Sequence, residues 1–225
     1  MGFIEKLSKL SLMTGAEAWA NIVDPSGKSR PRRTSKAMEA VEPSGEIVTK
    51  VIEPPSFRVF EADIRAVITW RKAIRNEKQR IEIRLPMSYL PHVKMEAEES
   101  RVVIYSKNPI GPGCRIDMIG TSLSEIHLGG EASMVVHDIR SDRVIATVRG
   151  SSSLWLEGES MEAHYECIDA ASIDAASMEN SIAIVDASND SIVITRSSDA
   201  VQATLSGRST IVTIGVPTVM DACRE

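Results

Sequence analysis

The side chains best suited to hold a metal or move a proton are four histidines, His92, His127, His137 and His164. His137 and His164 each follow a methionine by three residues (Met134, Met161), and each has an acidic neighbour, Asp138 or Glu166. Repeating units that stacked would bring the two rings onto one face, where a histidine pair can ligate a metal. Two histidines with loosely placed carboxylates make a thin ligand set, and exposed polar positions on strands explain them better. Asp169, Asp174, Asp186, Asp190 and Asp199 form a second candidate, an acidic ladder suited to acid–base work on sugars or to calcium. The competing reading places these aspartates at turns, where they accept backbone hydrogen bonds. Aromatic platforms for sugars are scarce near them, only Trp155 and Tyr165.

Other chemistry lacks its signature. The run Gly150-Ser151-Ser152-Ser153 has no nucleophile-elbow context and reads as a corner. There is no phosphate-binding glycine loop, no HExxH and no EF-hand pattern. The sequence thus assigns no catalytic, cofactor-binding or metal residue, expects no cofactor, and leaves the ligand-binding residues unknown. Cys114, Cys167 and Cys223 are too few and too scattered for a disulfide framework or a zinc site. Cys114 and Cys167 suit buried small apolar positions, and Cys223 an exposed one.

The elements that would position such residues are short strands. Alternating or β-branched runs occur at Val67–Trp70, Arg80–Leu85, Val102–Tyr105, Ile126–Leu128, Leu154–Leu156, Ile192–Ile194 and Ile211–Thr213. Small polar residues precede several of them, as in Asn189-Asp190-Ser191 before Ile192 and Arg208-Ser209-Thr210 before Ile211. Repeats that cannot bury a core singly must stack. Each unit is then one coil of a β-solenoid, with corners of Gly, Asn, Asp and Ser. Ile126, Leu154, Ile192 and Ile211 are expected to share an inward ladder, and Trp155, between two inward leucines, to point outward. The expected fold is all-β, a right-handed parallel β-helix of short irregular coils, with a β-sandwich as the alternative.

The stretch Val148–Pro217 resembles the head GIN domain, the "putative auto-transporter adhesin" family. That family repeats Ser-Gly-Ser-Gly-Asp before a β-branched strand. Here the closing phrase is Ser206-Gly207-Arg208-Ser209-Thr210-Ile211, ending in Gly215-Val216-Pro217, and Ser, Asn or Arg replace most of the glycines. The likeness reaches back to about Phe57. It implies a β-solenoid at the cell surface or exported, with no catalytic residues to transfer.

Residues 1–56 read as a weak helix (Ile4, Leu7, Leu10 and Met13 on one face) followed by a flexible linker rich in Pro, Ser and charge. The solenoid is expected over 57–217 and a tail over 218–225. The apolar stretch Leu10–Met13 is too short for a signal-peptide core, which points to the cytoplasm. No apolar run approaches the ~20 residues of a membrane span. The net charge is −5, and from Gly150 onward 12 acidic residues face 3 basic ones. That argues against nucleic acid as a partner, although Lys28–Lys36 is a basic run. The expected function is a non-enzymatic structural or adhesive domain whose partners are proteins or carbohydrates at a surface, with homo-oligomers formed through the solenoid ends. The alternatives are a carbohydrate-active enzyme using the aspartates and an intracellular self-assembling scaffold.

Overall fold

In the computed structural model, residues 40–224 are described. The helix expected over 1–24 and the basic run 28–36 lie outside them. Along the later strands apolar and polar residues alternate, so each strand has one buried face. In β10 (Ser153–Cys167) Leu154, Leu156, Ala163, Tyr165 and Cys167 are buried, while Trp155, Glu157 and His164 face out. The same holds in β9 (Ser133–Val148), β11 (Ser172–Ala187) and β12 (Ile192–Leu205). These four pair in parallel, Ser133 with Ser153, Ser153 with Ser172, and Ser172 with Ile192. Thr210 continues the row in β13 (Thr210–Ile214), so one coil takes 18–20 residues.

Each of these strands bends once, which divides the solenoid into two walls. Asp138 in β9 and Gly158 in β10, at φ 54° and 142°, mark the bends. The other corner is built by a stacked column of residues with left-handed backbone: Gly150, Asp169, Asn189 and Gly207, at φ 62–73°. Only Gly, Asn and Asp adopt this conformation cheaply. Beneath them sit Ser152, Ala171, Ser191 and Ser209, all essentially buried, where little more than a methyl or hydroxyl fits. The run 150–153 is therefore a corner, as expected.

Two inward ladders fill the core. On the first wall, Ile116, Ile68, Met134, Leu154, Ile173, Val193 and Ile211 are successive partners. On the second, Val102, Phe60, Ile126, Ala146, Tyr165, Val185 and Ala203 follow one another. The expected single ladder of Ile126, Leu154, Ile192 and Ile211 is corrected in two ways. Ile126 belongs to the second wall. Ile192 faces outward, 47% exposed, and its neighbour Val193 fills the core.

Coils at the N-terminal end are not stacked in chain order. β2 (Val59–Asp63) and β3 (Val67–Lys72) pair directly with β8 (Glu125–Gly129) and β9. The intervening chain returns to the outer side of β2 and β3, where β6 (Arg101–Ser106) and β7 (Arg115–Gly120) add another parallel coil. Beyond it the pairing turns antiparallel: β4 (Arg80–Pro86) on β7, β1 (Ile47–Ile52) on β4, and β5 (Val93–Glu98) on β6. Antiparallel strands cap this end. At the other end β14 (Val219–Arg224) continues the second wall beside β12. Strands thus occupy 47–52, read as linker, and 219–224, read as tail. Both pair with the sheet because their backbone groups find partners there.

Candidate functional site

The charged face of β4 follows from its alternation. Ile81, Ile83 and Leu85 are buried, which directs Arg80, Glu82 and Arg84 outward. On β7, Ile116 and Met118 are buried, which directs Arg115 and Asp117 outward. The antiparallel register sets Glu82 opposite Asp117 and Arg84 opposite Arg115. Like charges directly across strands repel, and two contacts offset this: diagonally, Arg84 Nη2 lies 3.4 Å from Asp117 Oδ2, and along β4 Arg84 Nε lies 2.7 Å from Glu82 Oε1.

Asp117 is the hub of this face. It accepts from Arg115 Nε at 3.0 Å and from the Thr69 hydroxyl on β3. Burial alone would raise its carboxyl. The hydrogen bonds from Arg115 and Thr69, with the charges of Arg115 and Arg84, outweigh that and hold it below its ordinary value. The same hydrogen bond raises the Arg115 guanidinium. Arg71, next along β3, donates two bonds to Glu77 in the following loop. Arg80 is exposed and makes no ion pair among the described residues. All of these side chains except Glu77 line a groove of about 390 Å³ on the outer face of the first wall.

His137 closes the groove on the β9 side. Its Nδ1 lies 2.8 Å from Glu157 Oε2, and its ring meets the Trp155 ring edge-on, centroids 5.2 Å apart. Trp155 points outward between buried Leu154 and Leu156, as the sequence reading expected. The result is a groove of guanidinium donors and carboxylate acceptors bounded by His137, whose ring is backed by Trp155.

The residues singled out from sequence are not brought together. His137 stands on the first wall and His164 on the second, where its Nε2 lies 2.6 Å from Glu162 Oε1. The two rings do not stack, because one coil passes through both walls; they are polar strand positions, the reading the sequence favours. His127 lies 2.7 Å from Glu125 Oε1, and His92 Nδ1 lies 2.9 Å from Asn108 Nδ2. The five aspartates are equally dispersed. Asp174 is on the outer face of the first wall and Asp186 on that of the second. Asp169 and Asp190 sit at one corner, bonded to Asn189 at 3.0 Å and Arg208 at 2.6 Å, and Asp199 lies at the other bend. These five aspartates form no ladder. Among the described residues no three His, Cys, Asp or Glu side chains are grouped to hold a metal ion.

Cys114 and Cys167 are buried, and burial pushes both thiols up to about 11; Cys223 is exposed. Sequence reasoning marked Arg80–Leu85 as a strand but missed the groove. Its signal was the alternation of charges in Arg-Ile-Glu-Ile-Arg and Arg-Ile-Asp-Met, whose meaning depends on the β4–β7 register.

A family model described as "Putative auto-transporter adhesin, head GIN domain" matches residues 72–217. No curated protein matches the chain. Among solved structures the chain is similar to a "putative adhesin" from Bacteroides fragilis NCTC 9343, with 11% identity, a TM-score of 0.64, and 83% of this chain and 96% of that one covered. It is also similar to a "putative lipid binding protein" from Parabacteroides distasonis ATCC 8503, with 12% identity, a TM-score of 0.53 and coverage of 83% and 97%. A "putative adhesin" from Parabacteroides merdae ATCC 43184 shares 16% identity at a TM-score of 0.50, with coverage of 82% and 96%. At these identities the likeness shows the fold.

Proposed function

Because this chain belongs to the auto-transporter adhesin head GIN domain family, we propose that it is a non-enzymatic binding module of a cell-surface or exported protein, working through the outer faces of its solenoid. One observation carries this reading. The polar and aromatic side chains of the first wall converge on an open groove, whereas the candidate catalytic aspartates are scattered over two walls and two corners. Dispersed carboxylates cannot flank one scissile bond, which hydrolysis by an acid–base pair requires. Among the described residues no helix is long and apolar enough to cross a membrane.

The test is protease treatment of intact cells followed by fractionation, together with binding of the labelled domain to whole cells. Surface exposure and saturable binding are the expected results. Protection from protease until lysis would overturn the surface assignment. Sugar release that disappears in Asp174→Ala or Asp186→Ala would restore the enzyme reading.

A second reading, self-association, is favoured by the C-terminal end. Beyond β13 and β14 no further strand pairs among the described residues, and Val212, Val219 and Met220 are 45%, 57% and 59% exposed. Open strand edges invite pairing with another chain. Sedimentation over a range of concentrations tests this, and a concentration-independent monomer would exclude it.

A further inference from the structure

We infer that the groove between β4 and β9 takes an acidic oligosaccharide, a chain of sugar rings that carries carboxylates. This rests on the binding-module reading above and names the ligand class for its groove. Three features of the groove support it.

The first is the mix of donors and acceptors. Arg84 and Arg115 are held in place by Glu82 and Asp117, and Arg71 is held by Glu77. An anion without hydroxyl groups, such as sulfate, has nothing to donate to Glu82 and Asp117 and is repelled by them. A polyhydroxyl ligand uses both sets, because a sugar hydroxyl can donate to a carboxylate and accept from a guanidinium. The second is Arg80, an exposed guanidinium lining the groove without an ion pair among the described residues. Its fork fits a carboxylate with two parallel hydrogen bonds. The third lies at the opposite side, where His137 lines the groove and the outward-facing Trp155 ring packs against it from the next strand. An aromatic face packs against the apolar side of a sugar ring and costs little side-chain entropy on binding.

The spacing favours an oligomer over a single sugar. From β4, which carries Arg80, the sheet passes through β7, β3 and β9 to β10, which carries Trp155. Four strand spacings amount to about 19 Å. A chain lying across the strands reaches both the charged end and the aromatic end.

The experiment is titration of the full chain with trigalacturonate, followed by calorimetry and tryptophan fluorescence. The methyl ester of trigalacturonate, which keeps the rings and removes the charge, and sodium sulfate serve as comparison probes. Trigalacturonate should bind, and its ester should bind about tenfold more weakly, the scale of one charge-assisted hydrogen bond. In Arg80→Ala the acid and the ester should bind alike, and Trp155→Ala should weaken both. Both side chains are at the surface, and circular dichroism of each variant checks the fold. The proposal is overturned if trigalacturonate does not bind, if the wild type binds acid and ester equally, or if sulfate displaces the saccharide at equal concentration. Absence of saccharide binding with whole-cell binding retained would remove this ligand and leave the surface-binding reading in place. Saccharide binding by a protein protected in intact cells would do the reverse.

Discussion

Gly158 of β10 packs directly on Ile139 of β9: a β carbon added at Gly158 would lie 2.0 Å from the Ile139 carbonyl oxygen and 2.7 Å from its nitrogen. The obstacle is backbone, so no side chain can rotate away. Gly158 also holds φ at 142°, where residues other than glycine are strained. This is the bend that lets one strand serve two walls. Gly158→Ala is expected to destabilise the fold by more than ~3 kcal/mol, read as a fall in the urea midpoint. An unchanged midpoint would mean that the bend is not as tight as described.

Asn189 illustrates the other corner. It sits at φ 62° and donates Nδ2 to Asp169 Oδ1 at 3.0 Å, one coil away. A β-branched residue pays the full left-handed penalty there, so Asn189→Val should cost about 1–2 kcal/mol. Asn189→Gly loses the side-chain bond but relieves the backbone, and is expected to change stability by less than ~1 kcal/mol. The comparison of the two variants by chemical denaturation separates backbone conformation from hydrogen bonding.

Ile173 and Ile192 test which face each strand buries. Ile192 begins β12 and Ile173 is the second residue of β11, paired with Val193; Ile173 is fully buried and Ile192 is 47% exposed. Ile173→Ala should cost about 2–5 kcal/mol through lost burial and a residual cavity, and Ile192→Ala under ~1 kcal/mol. Equal losses would contradict the register of β11 against β12.

That pair also shows where the sequence stops being legible. The corner phrases are legible, because left-handed backbone favours Gly, Asn and Asp, as at position 189, although Glu131 at φ 67° shows that the preference is not absolute. The direction of Ile192-Val193-Ile194 was not readable, since three consecutive β-branched residues carry no alternation and a one-residue slip exchanges the faces. Trp155 was placed correctly, because the flanking leucines fix its phase. His137 and His164 are the exposed strand positions that their sequence context favours, and their spacing does not reveal the bend at Gly158 that puts them on different walls. The groove escaped notice for a related reason. Glu82 and Asp117 become neighbours through an antiparallel pairing at the capped end, after an excursion that breaks the chain order of the coils. Nothing local in either strand specifies that register.

Glu77, the partner of the groove-lining Arg71, provides a pH test. It accepts from Arg71 Nη1 at 2.7 Å and from the Ile74 amide at 3.1 Å, closing the loop after β3. The hydrogen bond from Arg71, then that from Ile74, bring its carboxyl down to about 2 from an ordinary 4.5. A folded-state value below the unfolded one means that the ionised form is favoured by folding. The clasp's contribution is therefore complete above pH 4.5 and fades as the pH falls from 4.5 towards 2. Carboxyl chemical shifts of Glu77 should show this low midpoint, and the Ile74 amide should lose its hydrogen-exchange protection over the same interval. Glu77→Gln is expected to weaken that protection already at pH 6, because the neutral amide accepts more weakly than the carboxylate. A Glu77 midpoint near 4.5, with Ile74 protection independent of pH, would show that the clasp does not form in solution.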